Sequence, residues 1–338
     1  MALMKGYPVD PRFCVPDISL EDSLENARPF RRVANVTKFA LAAVAMAIRD
    51  AGLTPGREDR SRTGMVIGVT HGALVFSSQY HEGLLQDGPE AASPMLFAES
   101  VLNAPAGNVA MAFGIRGPVH TMIGEESVGA QALEVALALL RSGSVDRCIV
   151  VGTEEKSPLI NNAYERMEHV ASRAIPGEAT PPPGEGAAAI VVECAWEAIR
   201  RRTSLRVPVV SVRCCHGARE GMEDFVARVV KEQLTSVGMR DVKTGHVILP
   251  TGRYREAVRR GALRGLGAGW CGTSCLDIAP VVGNPFGAAV LFQVSVSAAL
   301  ISSGDSSGAG LILSSGIEKT FSSILLGGSP DGAEAPPL

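Results

Sequence analysis

The chain has 338 residues, 46% of them hydrophobic but only 5% aromatic, and a net charge of −3. That length and apolar content allow two medium domains or one large duplicated α/β unit, with a sizeable core packed through small side chains. No basic cluster suits nucleic acid, no apolar run of transmembrane length or signal-peptide core stands out, and seven scattered cysteines fit a reduced, cytoplasmic chain.

Residues 1–30 are polar and proline-bearing, without a clear period. The run TKFALAAVAMAIRDA (37–51) predicts a helix capped by Thr37 and closed by Gly52. GMVIGV (64–69) predicts a strand, with Thr70-His71-Gly72 as its turn. Residues 93–118, SPMLFAESVLNAPAGNVAMAFGIRGP, form an apolar, glycine-punctuated stretch.

The segment 117–143, GPVHTMIGEESVGAQALEVALALLRSG, organises the rest. Gly-Pro breaks the chain, Val119 to Ile123 predicts a short strand, and Gly124 permits a sharp turn because it has no Cβ. An apolar helix then runs from Ser127 to about Leu140, and Gly143 stops it. Strand, tight turn and buried helix place a reactive side chain at a helix N-terminus. Unpaired N–H groups and the helix dipole stabilise an anion there.

A strand follows from Arg147 to Gly152, then Thr153-Glu154-Glu155. Residues 171–183, rich in Pro, Gly and Ala, predict a surface loop. GEGAAA (184–189) leads into another apolar strand. The second half repeats the plan. Strands are expected at 208–213 and 246–250, an amphipathic helix at 220–237, an apolar helix from the Gly283 run through Leu300, and a closing hairpin at 310–315 and 321–326. Such alternation suits a layered α/β fold. Residues 328–338 predict a disordered tail.

Three segments resemble the β-ketoacyl synthases of the thiolase superfamily, elongating branch: Phe113-Gly114-Ile115-Arg116-Gly117-Pro118 with the strand and turn that follow, the helix ending Asp50-Ala51-Gly52-Leu53, and Gly184 to Ala189. The resemblance spans about residues 31–327. It implies a thiolase-like duplicated α/β/α/β/α five-layer fold, with an N-terminal half at 31–200 and a C-terminal half at 201–327. The Val/Ile-rich strand that opens family members is not found in the sequence.

The resemblance also maps the chemistry. The family uses a cysteine that accepts the acyl chain and two histidines that stabilise developing negative charge. The cysteine position falls on Glu126, followed by Ser127, Val128 and Gly129. The first histidine's turn reads Pro250-Thr251-Gly252, the second histidine's place holds Asn284, and the family lysine falls near Ala279. The family's glycine-rich gating loop corresponds to Gly316-Ile317-Glu318-Lys319-Thr320-Phe321, whose composition predicts lost mobility. The resemblance thus assigns Glu126, Asn284 and Thr251 to the site, with Ser127, His120, Ile317 and Phe321 as acyl-pocket or gating residues. Asn284 keeps a donor able to face an oxyanion. Glu126 either caps the helix and fills the pocket or acts as a general base.

The expected function is a degenerate, chain-length-factor-like subunit that does not condense. It would shape an acyl cavity and dock acyl carrier protein in fatty-acid or polyketide biosynthesis, as a homodimer or a heterodimer with an active ketosynthase. Two alternatives stand beside it: a hydrolase, cyclase or dehydratase acting on a carrier-bound acyl chain through Glu126, and an active β-ketoacyl synthase. No cofactor is expected beyond the carrier's acyl-phosphopantetheine arm, and no metal. Cys271 and Cys275, like Cys214-Cys215-His216, lack a convincing zinc spacing. His71, His120 and His246 are single histidines near strands, for which core or loop roles are the commoner reading.

Overall fold

The computed structural model describes residues 11–53, 60–174, 180–203, 207–217, 220–240, 245–270, 273–303, 308–318 and 320–327. The tail expected at 328–338 lies outside the described residues. In chain order the helices are α1 (Asn35–Asp50), α2 (Leu74–Asp87), α3 (Pro94–Ser100), α4 (Ala104–Phe113), α5 (Val128–Arg141) and α6 (Pro158–Ala174). They continue with α7 (Ala195–Arg200), α8 (Met222–Ser236), α9 (Arg255–Gly265), α10 (Ala279–Val282) and α11 (Ala289–Ser303). The strands are β1 (Thr63–Val69), β2 (Val119–Ile123), β3 (Arg147–Glu154), β4 (Gly186–Glu193), β5 (Val209–His216), β6 (Gly245–Ile248), β7 (Ser274–Leu276), β8 (Ala309–Ser315) and β9 (Thr320–Gly327).

Two sheets organise these elements, ordered β2-β1-β3-β4 and β5-β9-β8-β6-β7. Each has a parallel trio, β2-β1-β3 and β7-β6-β8, flanked by an antiparallel strand, β4 or β9. The two orders superimpose once β5 is removed, so among the described residues the first sheet has no strand flanking β4 as β5 flanks β9. Its consequence is visible in burial. β9, covered by β5, is buried along nearly its whole length, whereas most of β4 is only half-buried.

α1 and α4 cover the outer face of the first sheet, α5 and α11 lie between the sheets, and the α8–α9 pair packs on the second. The result is five layers, α/β/α/β/α. The interior follows from side-chain size. Ala130, Ala132, Leu133, Ala136 and Leu137 of α5 join Val290, Leu291 and Val294 of α11 with Val66 and Val150 below and Ile312 and Ile324 above. A Cβ on Gly129 would lie 2.9 Å from the Val290 Cβ, so α5 can approach α11 only through glycine.

Four local expectations change. Thr37 is not the cap of α1; it lies inside the helix and is fully buried. The start is capped instead by a distant carboxylate, because the Val36 N–H donates to Glu155 Oε2 at 3.2 Å. The loop expected from 171 begins later, since α6 continues to Ala174; residues 175–179 lie outside the described residues. The Gly283 run does not open directly into a helix. It first makes the single 3-10 turn Phe286–Ala288. Finally, Phe286–Ser303 is long and apolar enough to cross a membrane, contrary to the sequence reading, yet α11 serves as the central helix between the two sheets.

Candidate functional site

β1 and β3 are parallel neighbours in register, Gly68 opposite Gly152, and end together on the edge to which the turn before α5 also returns. The Gly124 N–H donates to the Val69 carbonyl at 3.2 Å, which pins that turn to the end of β1. Glu126 follows, just ahead of the Ser127 N-cap, and both are 2% exposed.

The turn between α10 and α11 faces it. Asn284 is fully buried, and its backbone is clamped by the glycine-rich segment before β4. The Asn284 N–H donates to the Pro182 carbonyl at 2.8 Å, and the Gly184 N–H donates back to the Asn284 carbonyl at 2.9 Å. Both ends of its side-chain amide are engaged. Nδ2 donates to Glu126 Oε1 at 3.2 Å, while Oδ1 accepts from Thr251 Oγ1 at 3.3 Å and from the Phe286 N–H at 3.2 Å. A Cβ on Gly252 would stand 3.1 Å from Glu126 Oε1, so the 251–252 turn closes over the carboxyl. Three residues named from sequence, Glu126, Thr251 and Asn284, therefore meet in one hydrogen-bonded chain.

Burial raises the Glu126 carboxyl above its ordinary range, opposed by its backbone bond and by the Asn284 amide. The helix dipole expected to favour an anion here is outweighed by desolvation. In either protonation state Glu126 Oε1 accepts the Asn284 amide.

The remaining assigned residues separate. Ser127 stays at the start of α5. His120 is exposed on β2, the outer strand of its sheet, and takes no part in the cluster. Phe321 is 1% exposed and packs edge-on to Phe225, 6.0 Å between centroids, as a core residue of the second half. Alternation along β9 turns it away from the site. Ile317 lies half-buried in the loop before β9. That loop is tied down by Glu125, whose carboxylate accepts from the Glu318 N–H at 3.1 Å and from Thr320 Oγ1 at 2.6 Å.

Sequence reasoning missed the residues that complete the wall. Glu154, the last residue of β3, is fully buried and accepts from the Thr70 N–H at 2.9 Å and the His71 N–H at 3.0 Å. His71 Nδ1 reaches the same carboxylate at 3.2 Å. The His71 ring sits edge-on to Phe286 at 4.8 Å and to Tyr164 at 5.8 Å, and Tyr164 meets Phe286 at 4.6 Å. Burial raises the Tyr164 hydroxyl, reinforced by Glu126 and Glu154. Three polar residues at the ends of adjacent parallel strands, Thr70 and His71 just past β1 and Glu154 closing β3, were the available signal, since open α/β sheets place sites at carboxyl ends of strands.

Among the described residues no three of His, Cys, Asp and Glu converge as metal ligands do. Cys271 lies outside them; Cys275, Cys214 and Cys215 are half-buried on strands. His246 is a core residue, its Nε2 2.8 Å from Ser297 Oγ.

The fold defines a class, the thiolase-like α/β proteins. Solved structures share the architecture over nearly the whole chain. A type II polyketide synthase acyl-carrier protein in complex with its ketosynthase matches with a TM-score of 0.80 and 16% identity, covering 94% of this chain and 90% of that one. The ishigamide ketosynthase/chain length factor matches with a TM-score of 0.76 and 22% identity, covering 93% and 86%. The family model described as the N-terminal domain of β-ketoacyl synthase matches residues 17–198. The chain belongs to the β-ketoacyl synthase family. Among curated relatives, 3-oxoacyl-[acyl-carrier-protein] synthase 2 of Rhizobium meliloti (strain 1021) is 34% identical over 125 residues, 37% of this chain and 30% of the relative. That of Coxiella burnetii (strain RSA 493 / Nine Mile phase I) is 24% identical over 194 residues, 54% and 47%. The chain thus spans less than half the length of these curated relatives.

Proposed function

We propose that this chain is a ketosynthase-like, non-condensing protein of fatty-acid or polyketide biosynthesis, which receives an acyl chain from an acyl carrier protein and pairs with a second copy or an active ketosynthase. One observation carries this reading: the helix start that the family resemblance assigns to a nucleophilic cysteine holds a buried carboxyl, Glu126, locked to Asn284. A carboxyl in that place has neither the nucleophilicity nor the leaving-group chemistry of a thiolate. Thr251, in the turn the resemblance gives to the first histidine, bonds Asn284, in the place of the second, and Asn284 bonds Glu126, so neither position offers an imidazole. The nearest cysteine along the chain, Cys148, is fully buried on β3 with its thiol pushed up to about 12 by burial. The lost gating expected for the 316–321 loop is supported by its tether to Glu125.

The test is direct. Purified protein offered an acyl-carrier thioester and malonyl-loaded carrier yields no elongated product by mass spectrometry, and no cysteine is acylated, while carrier protein binds in a pull-down or titration. Elongation, or an acyl-enzyme at any cysteine, overturns the proposal. A second reading, acid–base chemistry on the bound chain through Glu126, is favoured by burial, which raises its carboxyl and so favours the proton-bearing form.

A further inference from the structure

The family resemblance does not account for His71 and Glu154, although both face the cluster around Glu126. Glu154 ends β3 with no exposure, and its carboxylate is held by two backbone N–H donors from the Thr70-His71 turn. A carboxylate only accepts hydrogen bonds, so in the contact at 3.2 Å His71 Nδ1 donates to Glu154, and Nε2 is the ring nitrogen not engaged by that carboxylate. The imidazole is not sealed in. Its side chain keeps 19% of its surface, and its edges meet Phe286 and Tyr164.

The 284–286 turn joins this pair to Glu126. Asn284 Nδ2 holds Glu126 on one side, and the Phe286 ring meets His71 on the other. Phe286 adopts φ +41°, a left-handed conformation costly for an aromatic residue, and its N–H is anchored to Asn284 Oδ1. The turn is pressed onto the end of β1, where a Cβ on Gly287 would stand 3.0 Å from the Thr70 nitrogen. A positive charge on His71 would lower the Glu126 carboxyl, so the two lie within electrostatic reach. Glu125, Glu154 and Arg253 also act on Tyr164 at this wall.

We propose that the site enolises β-ketoacyl thioesters, with His71 as proton acceptor, Glu126 as proton donor and Glu154 as the residue that positions His71. The inference rests on the reading of this site as an acyl-carrier pocket. In the step, the C–H bond at the carbon between the two carbonyls breaks and its proton passes to His71 Nε2. The electron pair forms the carbon–carbon double bond, the β-carbonyl π pair moves onto oxygen, and that oxygen takes the Glu126 proton. The enol retains every atom of the ketone, the protein exchanges one proton for another, and the reverse step restores both. A proton acceptor and a proton donor in one site are what this chemistry needs, and no nucleophile is required.

The probe is acetoacetyl-pantetheine in deuterated buffer, at a pH low enough for slow buffer-catalysed exchange, with loss of the C2 proton signal followed by NMR. Binding is read in parallel by saturation transfer. The intact protein accelerates exchange above buffer, and His71→Ala and Glu126→Gln each lower that acceleration by about a hundredfold. Glu154→Gln lowers it by about tenfold or more. Added imidazole restores exchange to His71→Ala but not to Glu126→Gln, a recovery that loss of a purely structural histidine would not give. Probe that binds the wild-type protein with no acceleration overturns this inference and leaves the acyl-pocket reading standing, whether or not the variants fold. Undiminished exchange in folded His71→Ala overturns it too. Failure of the wild-type protein to bind the probe overturns the underlying reading and this inference with it.

Discussion

Glu126 and Glu155 show how burial decides what a carboxyl does. Glu126 accepts from Asn284, and a neutral amide of the same shape keeps that bond, so Glu126→Gln holds stability within about 1 kcal/mol. Glu126→Ala leaves the Asn284 amide buried without its partner and costs about 1–3 kcal/mol, measurable by urea denaturation. Glu155 receives N–H donors from the first turns of both α1 and α2, at 3.2 Å from Val36 and 3.0 Å from Val75. Burial nonetheless pushes its carboxyl up to about 7 from 4.5. The folded state then holds this proton more tightly than the unfolded chain. Its contribution is complete below pH 4.5 and is lost as pH rises to about 7. Stability falls by up to ~3 kcal/mol over that window, and Glu155→Gln flattens the slope, as denaturation midpoints across the range will show.

At the scale of elements, the site is positioned by turns that touch backbone to backbone. A Cβ on Gly152 would lie 2.6 Å from the Gly287 carbonyl oxygen and 2.8 Å from Ala288 Cα. Gly152→Ala must therefore push the 286–288 turn off β3, costing about 1–3 kcal/mol in melting experiments and displacing Phe286 from His71. The loop before β9 is the other moving part the family resemblance implies, and here Glu125 holds it. Glu125→Ala removes both acceptors. Amide hydrogen exchange at Glu318 then rises by an order of magnitude or more, while the strands keep their protection.

For the whole molecule, exposed apolar side chains occur in both halves, and several of them fall on α3, α4 and β2 or just after α3. Phe97 is 54% exposed, Met111 63% and Ile123 57%, joined by Met95 and Val101. Soluble monomers rarely leave large apolar patches bare. We expect an obligate dimer burying more than ~2,000 Å² in total. Met95→Asp is therefore a clean interface test, and sedimentation analysis of this variant should report monomer or insoluble protein. Leu102→Asp is less clean, because Leu102 packs half-buried against the α1–β1 core and folding is lost with it. A well-behaved monomer of the unmodified chain would remove the basis for a partner subunit. The two proposed halves share α5 and α11 in one core cluster, so a fragment covering 31–200 alone should not fold.

The sequence by itself determined the fold class and the order of strands and helices, because hydrophobic period and glycine placement are local. It also located Glu126 and Asn284, since each sits at a fixed offset from a Gly-marked turn. Their contact, across 158 positions of sequence, arises only when β1, β3 and the 286–288 turn pack together. The raised carboxyls of Glu126 and Glu155 follow from desolvation, which no local pattern reports. His120 and Phe321 looked alike on paper as pocket residues, and strand alternation and sheet position sent one to solvent and the other to the core. The His71–Glu154 pair, two unremarkable polar residues past apolar strands, became a site only because parallel pairing ends β1 and β3 side by side.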